Sequence, residues 1–382
     1  MASLPRSNVS TSDTISASGR GSIWGFDWPL WALAVFLSVW GAFTVISATQ
    51  APGTPLISGG VPSDAAKQIG FVILGIGAMT LLGFANYRWL MYAQGWLYWI
   101  NIAALIAVLF VGREVNGAQS WIIFGPLSLQ VSEFSKFALL LALSAFLTRR
   151  QARIREGRTV ALSLLYLAPP LLLILKQPDF GTAMAVLSIW GGIMFFGGAR
   201  WQHLLIVGLM GILLMFGAYK SGVLKPHQVA RLTAFADPKS RDNYQLDQSL
   251  IAIGGGQLTG QGYREGMQNR ANYVPFNQTD FIFTVVAEEL GFLGGALLIG
   301  CYFLLLYRAT NLALFADNYF GVLLCGGFTA LLAFHCIVNI GMTMRVMPIT
   351  GVPLPFFSYG GSSFLAFSMC AGLLQSVSSH RR

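Results

Sequence analysis

Ten apolar stretches, most of them close to the 20 residues a helix needs to cross a lipid bilayer, recur along this chain. They lie near 28–48, 69–85, 93–112, 132–148, 160–175, 181–198, 202–219, 281–306, 319–341 and 364–379. Charged residues are only 10% of the 382 and apolar residues 55%, where a soluble globular protein carries roughly 25% charge. The fold class expected is an all-α polytopic membrane protein. Residues 28–379 form one ten-span domain, and a long extracytoplasmic loop, 220–280, joins spans seven and eight. Gly and Pro interrupt several stretches, which spans tolerate when neighbouring groups satisfy the freed backbone.

Basic residues set the expected orientation. With residues 1–27 in the cytoplasm, the inside segments hold Arg6, Arg20, Arg88, Arg149, Arg150, Arg153, Arg155, Arg158, Arg200, Arg308, Arg381 and Arg382. The short outside loops and adjoining span ends hold only Lys67, Arg113, Lys136, Lys176 and Arg345. This is the positive-inside asymmetry, anchored by RRQARIREGR, and an even number of spans returns 380–382 to the cytoplasm. The net charge of +9 therefore reports topology and headgroup contact; no nucleic-acid motif accompanies it. The Ser/Thr/Gly-rich 1–27 reads as disordered. It does not read as a signal peptide, because the apolar segment after it is too long. Cys301, Cys325, Cys336 and Cys370 fall within spans without C-x-x-C spacing, so they read as packing residues.

The unusual chemistry collects on the predicted outer face, in 116–136, KQPDFGTA (176–183), 220–280 and MPITGVPLPFFSYGGSS (347–363). In SEFSK, Glu133 and Lys136 share a helix face and can pair. The same segment also reads as a cap, with Ser132 at the N-cap and Glu133 near the positive end of the helix dipole. A cation one turn into a membrane helix needs an anionic partner, which an arriving phosphate can be as readily as Glu133. Lys176 and Asp179 flank Pro178 in a segment that suits a tight charged turn and a substrate contact equally. The glycines and hydroxyls of SYGGSS (Ser358, Gly360, Ser362) can present N–H groups to an oxyanion or serve as turn material.

FNQTDFIFTVVAEELG puts Asp280, Glu288 and Glu289 into an apolar run. Ionisable groups within spans mark cavities where a substrate, ion or proton is handled. If a helix starts near Asp280, Glu288 lies about 12 Å further along its axis, at 1.5 Å per residue. Asp280 then sits at the rim, hydrated enough to stay ionised and act as a base. The two glutamates lie deeper, paired with Lys or Arg, kept neutral by desolvation, or hydrogen-bonded between spans.

Taken in order, SLQVSEFSK, QPDFGTA, RLTAFADP, QSLIAIGGGQLTGQGY, TDFIFTVVAEELG, NIGM and MPITGVPLPFFSYGGSS resemble the SEDS family (shape, elongation, division and sporulation). The resemblance covers nearly everything beyond about residue 25 and is strongest to the family's elongation-type members. It implies a glycosyltransferase that polymerises lipid II into peptidoglycan with a class B penicillin-binding transpeptidase and other elongation-complex membrane proteins. It carries the family's catalytic aspartate onto Asp280, the Glu and Lys of its PSE motif onto Glu133 and Lys136, and the Asp of QPD onto Asp179. Three departures stand out: Gln119-Ser120 where the family usually has a basic pair, Val131 for Pro, and Phe276-Asn277-Gln278 for a stretch with Glu and His. The first shifts phosphate binding towards Arg113, Lys136 or Lys176.

The implied reaction needs one base. A lipid diphosphate leaves as a stabilised anion, so general acid help is minor, while a sugar 4-hydroxyl must lose its proton as it attacks. Cations must answer the charge on the leaving group: Lys136 first, and a divalent ion such as Mg²⁺ or Mn²⁺ bridging phosphate oxygens. No organic cofactor is expected. A division-type polymerase, a lipid-precursor flippase and a non-catalytic scaffold are the alternatives; a flippase should carry polar groups along the whole path, whereas here they concentrate on one side.

Overall fold

The computed structural model describes residues 23–49, 57–58, 61–115, 118–124, 127–221 and 244–381. The RLTAFADP motif, and most of the N-terminal tail, lie outside the described residues. Each of the ten apolar stretches is a helix. The first seven are α1 (Trp28–Thr49), α2 (Asp64–Phe84), α3 (Tyr87–Val111), α4 (Val131–Thr148), α5 (Gly157–Lys176), α6 (Phe180–Phe196) and α7 (Trp201–Lys220). After α8 (Tyr244–Gly255) and the single turn α9 (Met267–Arg270) come α10 (Ile282–Leu314), α11 (Tyr319–Thr343) and α12 (Gly361–Ser379).

Seven of these, α1 to α5, α10 and α11, are long and apolar enough to cross a membrane, and α6 and α7 contain shorter apolar helices. The protein is a multi-pass membrane protein. Helix starts follow local chemistry: Ser63, Asn86, Asp179 and Asn318 each accept a backbone N–H of the turn they precede.

The bundle is graded from centre to rim. In α4, 78% of the apolar window is buried inside the protein, against 22% in α3. Around α4, α12 packs on α2, α11 on α6 and on α10. Trp89, Trp96 and Phe110 of α3 and Leu213 of α7 stay exposed, as side chains meant for lipid do.

Two features stand out at the long loop and the span that follows it. Residues 244–280 contain α8 and α9, and α10 is broken. Gly291 has φ 67° and ψ −163°, which separates an Ile282–Leu290 half from a longer second half. A break in a membrane helix strands backbone groups, and the chain after α8 meets them. Gln257 and Leu258 carbonyls accept the Phe292 and Leu293 N–H groups at 2.8 and 3.2 Å, while Gln261 and Gly262 donate to the Glu288 and Glu289 carbonyls at 3.0 Å. Such contact excludes side chains. A Cβ on Gly256 would stand 1.9 Å from the Ala287 oxygen, and one on Gly260 (φ +84°) 2.1 Å from that of Glu289. Gly256 and Gly260 of GGGQLTGQG are the imprint of this docking.

After α3, β3 (Arg113–Val115), β4 (Ala118–Phe124) and β5 (Leu127–Gln130) form an antiparallel sheet, with Trp121 opposite both Arg113 and Gln130. They follow β1 (Ile57–Ser58) and β2 (Val61–Pro62), a minimal hairpin.

Candidate active site

The starts of α2, α4, α6, α10 and α12 meet at one end of the bundle, and the motif residues fall there. Gln130, just before α4, donates from its side chain to Asp179 Oδ2 at 3.0 Å and from its backbone to Ser362 Oγ at 2.8 Å. Ser132 Oγ also donates to Asp179 Oδ2, at 2.7 Å, while Asp179 Oδ1 accepts the Thr182 N–H at 3.1 Å. Asp179 is thus the cap of α6 and a tie to α4. Ser132 is not an N-cap: α4 begins at Val131, after Gln130.

Glu133 and Lys136 form the ion pair their spacing predicts, with Lys136 Nζ 2.8 and 2.9 Å from the two carboxylate oxygens. The pair is deep. Lys136 is 1% exposed and Glu133 4%, and Nζ also lies 3.3 Å from His335 Nε2 and over the Phe367 ring. A phosphate reaching Lys136 would have to displace Glu133 from a buried site, whereas the other two candidate cations, Arg113 and Lys176, are exposed. Sequence reasoning missed His335; the signal is a polar residue one turn from Asn339 on an otherwise apolar helix.

Asp280 is half-buried in the turn before α10, which starts at Ile282 rather than at Asp280 itself. The 352–359 segment wraps this turn. Tyr359 N–H donates to the Gln278 carbonyl at 2.9 Å, and Ser358 Oγ to that of Thr279 at 2.6 Å. Ser358 also accepts the Leu354 N–H at 2.9 Å and is buried, so its hydroxyl faces the fold rather than a ligand. Gly360 N–H donates to Gln68 Oε1 at 3.4 Å, and Ser362 accepts from Gln130, so SYGGSS ties α2 and β5 to the turn. Burial and the neighbouring Asp64 push the Tyr359 phenol well above its ordinary range, so it stays protonated and donates to Asp64 Oδ1 at 3.1 Å. Beside the Asp280 carboxylate stands Gly351 (φ +67°), where a Cβ would lie 3.6 Å from Oδ2.

The two deeper glutamates are hydrogen-bonded between segments, and among the described residues the partners shown are amides and a hydroxyl. Glu288 accepts the Gln268 and Asn269 N–H groups at 2.6 and 3.1 Å, capping α9. Glu289 accepts from Ser47 of α1 and, at 3.2 Å, from Asn269 Nδ2. Both read as fasteners of the segment docked on the broken helix.

No group of three or more His, Cys, Asp or Glu side chains among the described residues is placed to hold a metal ion. The described residues form no cage for a divalent ion, so such an ion would have to arrive with the substrate's phosphates.

A family profile described as cell cycle protein, covering FtsW, RodA and SpoVE, matches residues 27–382. Stage V sporulation protein E of Bacillus subtilis is 36% identical over 327 residues, spanning 83% of this chain and 87% of that protein. Peptidoglycan glycosyltransferase MrdB of Escherichia coli is 34% identical over 328 residues, spanning 83% and 86%. Among solved structures, a peptidoglycan synthase complex that coordinates polymerization and crosslinking is similar with TM-score 0.76 and 33% identity, over 92% of this chain and 97% of that one. The crystal structure of Thermus thermophilus RodA is similar with TM-score 0.68 and 32% identity, over 93% and 97%.

Proposed function

This chain belongs to the FtsW, RodA and SpoVE family and is a peptidoglycan glycosyltransferase; from that premise we propose that it polymerises lipid II during cell elongation, with Asp280 as general base. The observation that carries the base assignment is the Asp280 turn, half-buried at the mouth of a membrane helix and held by its backbone carbonyls.

The acceptor's sugar 4-hydroxyl gives its proton to the Asp280 carboxylate as its oxygen bonds to the donor's anomeric carbon. The bond from that carbon to the diphosphate oxygen breaks on the opposite face, the electron pair leaves with the diphosphate, and the configuration inverts. Lys176 and Arg113 draw the diphosphate to the surface. A divalent ion arriving with the diphosphate would add to the neutralisation of the leaving group, while Asp280 remains the base. The polyprenyl tail stays in lipid, with the Asp280 end of the bundle facing out of the cell and both termini in the cytoplasm of a bacterial inner membrane.

The similarity to a synthase complex supports a class B penicillin-binding transpeptidase as partner, docking on the long loop. Purified protein in nanodiscs with labelled lipid II and Mg²⁺ tests the reading. Glycan polymer on a gel is the expected product; lipid movement across the bilayer without polymer would make the protein a flippase.

A further inference from the structure

The first residue of the NIGM motif, given no role above, touches the Asp280 turn directly. Asn339 of α11 is fully buried, and its Nδ2 donates to the Asp280 carbonyl at 2.9 Å and to the Val352 carbonyl at 2.8 Å. An amide NH₂ has two hydrogens, and both are used. Together with Tyr359 N–H and Ser358 Oγ, it completes a series in which the consecutive carbonyls of Gln278, Thr279 and Asp280 each receive a donor from another segment.

The second acceptor matters as much as the first. Val352 follows Gly351, the residue that walls the Asp280 carboxylate. A single amide therefore fixes the separation between the aspartate and the wall beside it. One turn earlier on the same helix face, His335 Nδ1 lies 2.9 Å from the Pro353 carbonyl. Lys136 Nζ can only donate to His335 Nε2, so the ring hydrogen sits on Nδ1 and is given to Pro353. One turn later, the Thr343 carbonyl accepts Ser249 Oγ at 2.8 Å, and that hydroxyl shares a hydrogen bond with Thr284 of α10. Residues at i, i+4 and i+8 lie in a row along a helix. This row pins the 352–353 backbone, the Asp280 turn and the first half of α10 to one rigid element.

We propose that Asn339 is a positioning residue for the glycosyl transfer, setting where the Asp280 carboxylate stands relative to the acceptor hydroxyl, with Ser358 and His335 holding the same frame. The inference rests on Asp280 being the base. A base acts only within hydrogen-bond reach of the proton it takes, and misplacement of reacting groups by about 1 Å costs on the order of 100-fold in rate.

The test uses the purified full chain and labelled lipid II. Asn339→Asp keeps the shape but turns the donor into an acceptor facing two carbonyls. Its kcat should fall about 10- to 100-fold, with KM for lipid II within about three-fold of the parent. In an Asp280→Asn background the same substitution should leave the residual rate unchanged, because it acts only through the missing carboxylate. A parental kcat in Asn339→Asp, or an equal further loss in the Asp280→Asn background, would overturn the proposal. Should Asn339→Asp fail to fold, Ser358→Ala is subject to the same two criteria. Full activity in Asp280→Asn itself would remove the base assignment instead, a result distinguishable because it needs no Asn339 variant.

Discussion

Asp27 and Asp280 each stand just before a membrane helix, at opposite ends of the bundle, and the fold uses them differently. Asp27 is 6% exposed and its carboxylate is spent on structure: Oδ1 accepts the Leu30 N–H at 3.0 Å and Oδ2 meets Arg308 at 2.8 Å. Its backbone exchanges two hydrogen bonds with Gln375. Asp280 is anchored through its carbonyl, and α10 starts without a side-chain cap. An acid group that caps and pairs has its charge satisfied by the fold. Asp280, in a half-buried turn whose carbonyls are held by other segments, is the one the proposed function assigns to the substrate.

That contrast makes unequal predictions. Asp280→Asn should lower polymerisation about 10²- to 10⁴-fold, the range of a lost general base, with an unchanged unfolding midpoint in detergent. Glu133→Gln leaves Lys136 buried without its counter-charge and should cost about 3–5 kcal/mol of stability, whereas Glu133→Leu with Lys136→Met should restore most of it; thermal melts of the three proteins measure the difference. Gly260→Ala, at φ +84° with a Cβ 2.1 Å from the Glu289 oxygen, should cost at least about 1–3 kcal/mol and loosen hydrogen-exchange protection of 257–262. Asp27→Ala should cost about 1–2 kcal/mol, a cap plus a pair whose Arg308 is 37% exposed and therefore screened, and leave kcat at the parental value. Smallest is the loss of surface cations: Lys176→Ala with Arg113→Ala should raise KM about two- to five-fold at low salt and less at high salt.

Much of this was legible from the chain, for reasons that also explain what was not. Ten apolar runs announce ten helices because lipid allows little else, and the three-residue spacing of Glu133 and Lys136 announces their pair. Depth was not legible. The same spacing serves a surface pair or a buried one, and only the packing of α4 at the centre shows that Lys136 is enclosed. The break in α10 left a trace, Gly291 within an apolar run, but its partner lies over 30 residues earlier and contributes only backbone, so glycines were the whole signal. His335, Asn339 and Thr343 were present as a period-four polar row on an apolar helix. That row identifies a buried face without saying which turn it holds.

The most direct test separates binding from chemistry at Asp280. Lipid II binding and single-turnover glycan formation should be measured side by side for the parent, Asp280→Asn and Asp27→Asn, all purified in the same nanodiscs. The account predicts that Asp280→Asn binds lipid II within about three-fold of the parent yet forms no polymer on the parental timescale, while Asp27→Asn does both. Parental turnover by Asp280→Asn, or a loss explained wholly by lost binding, would contradict it.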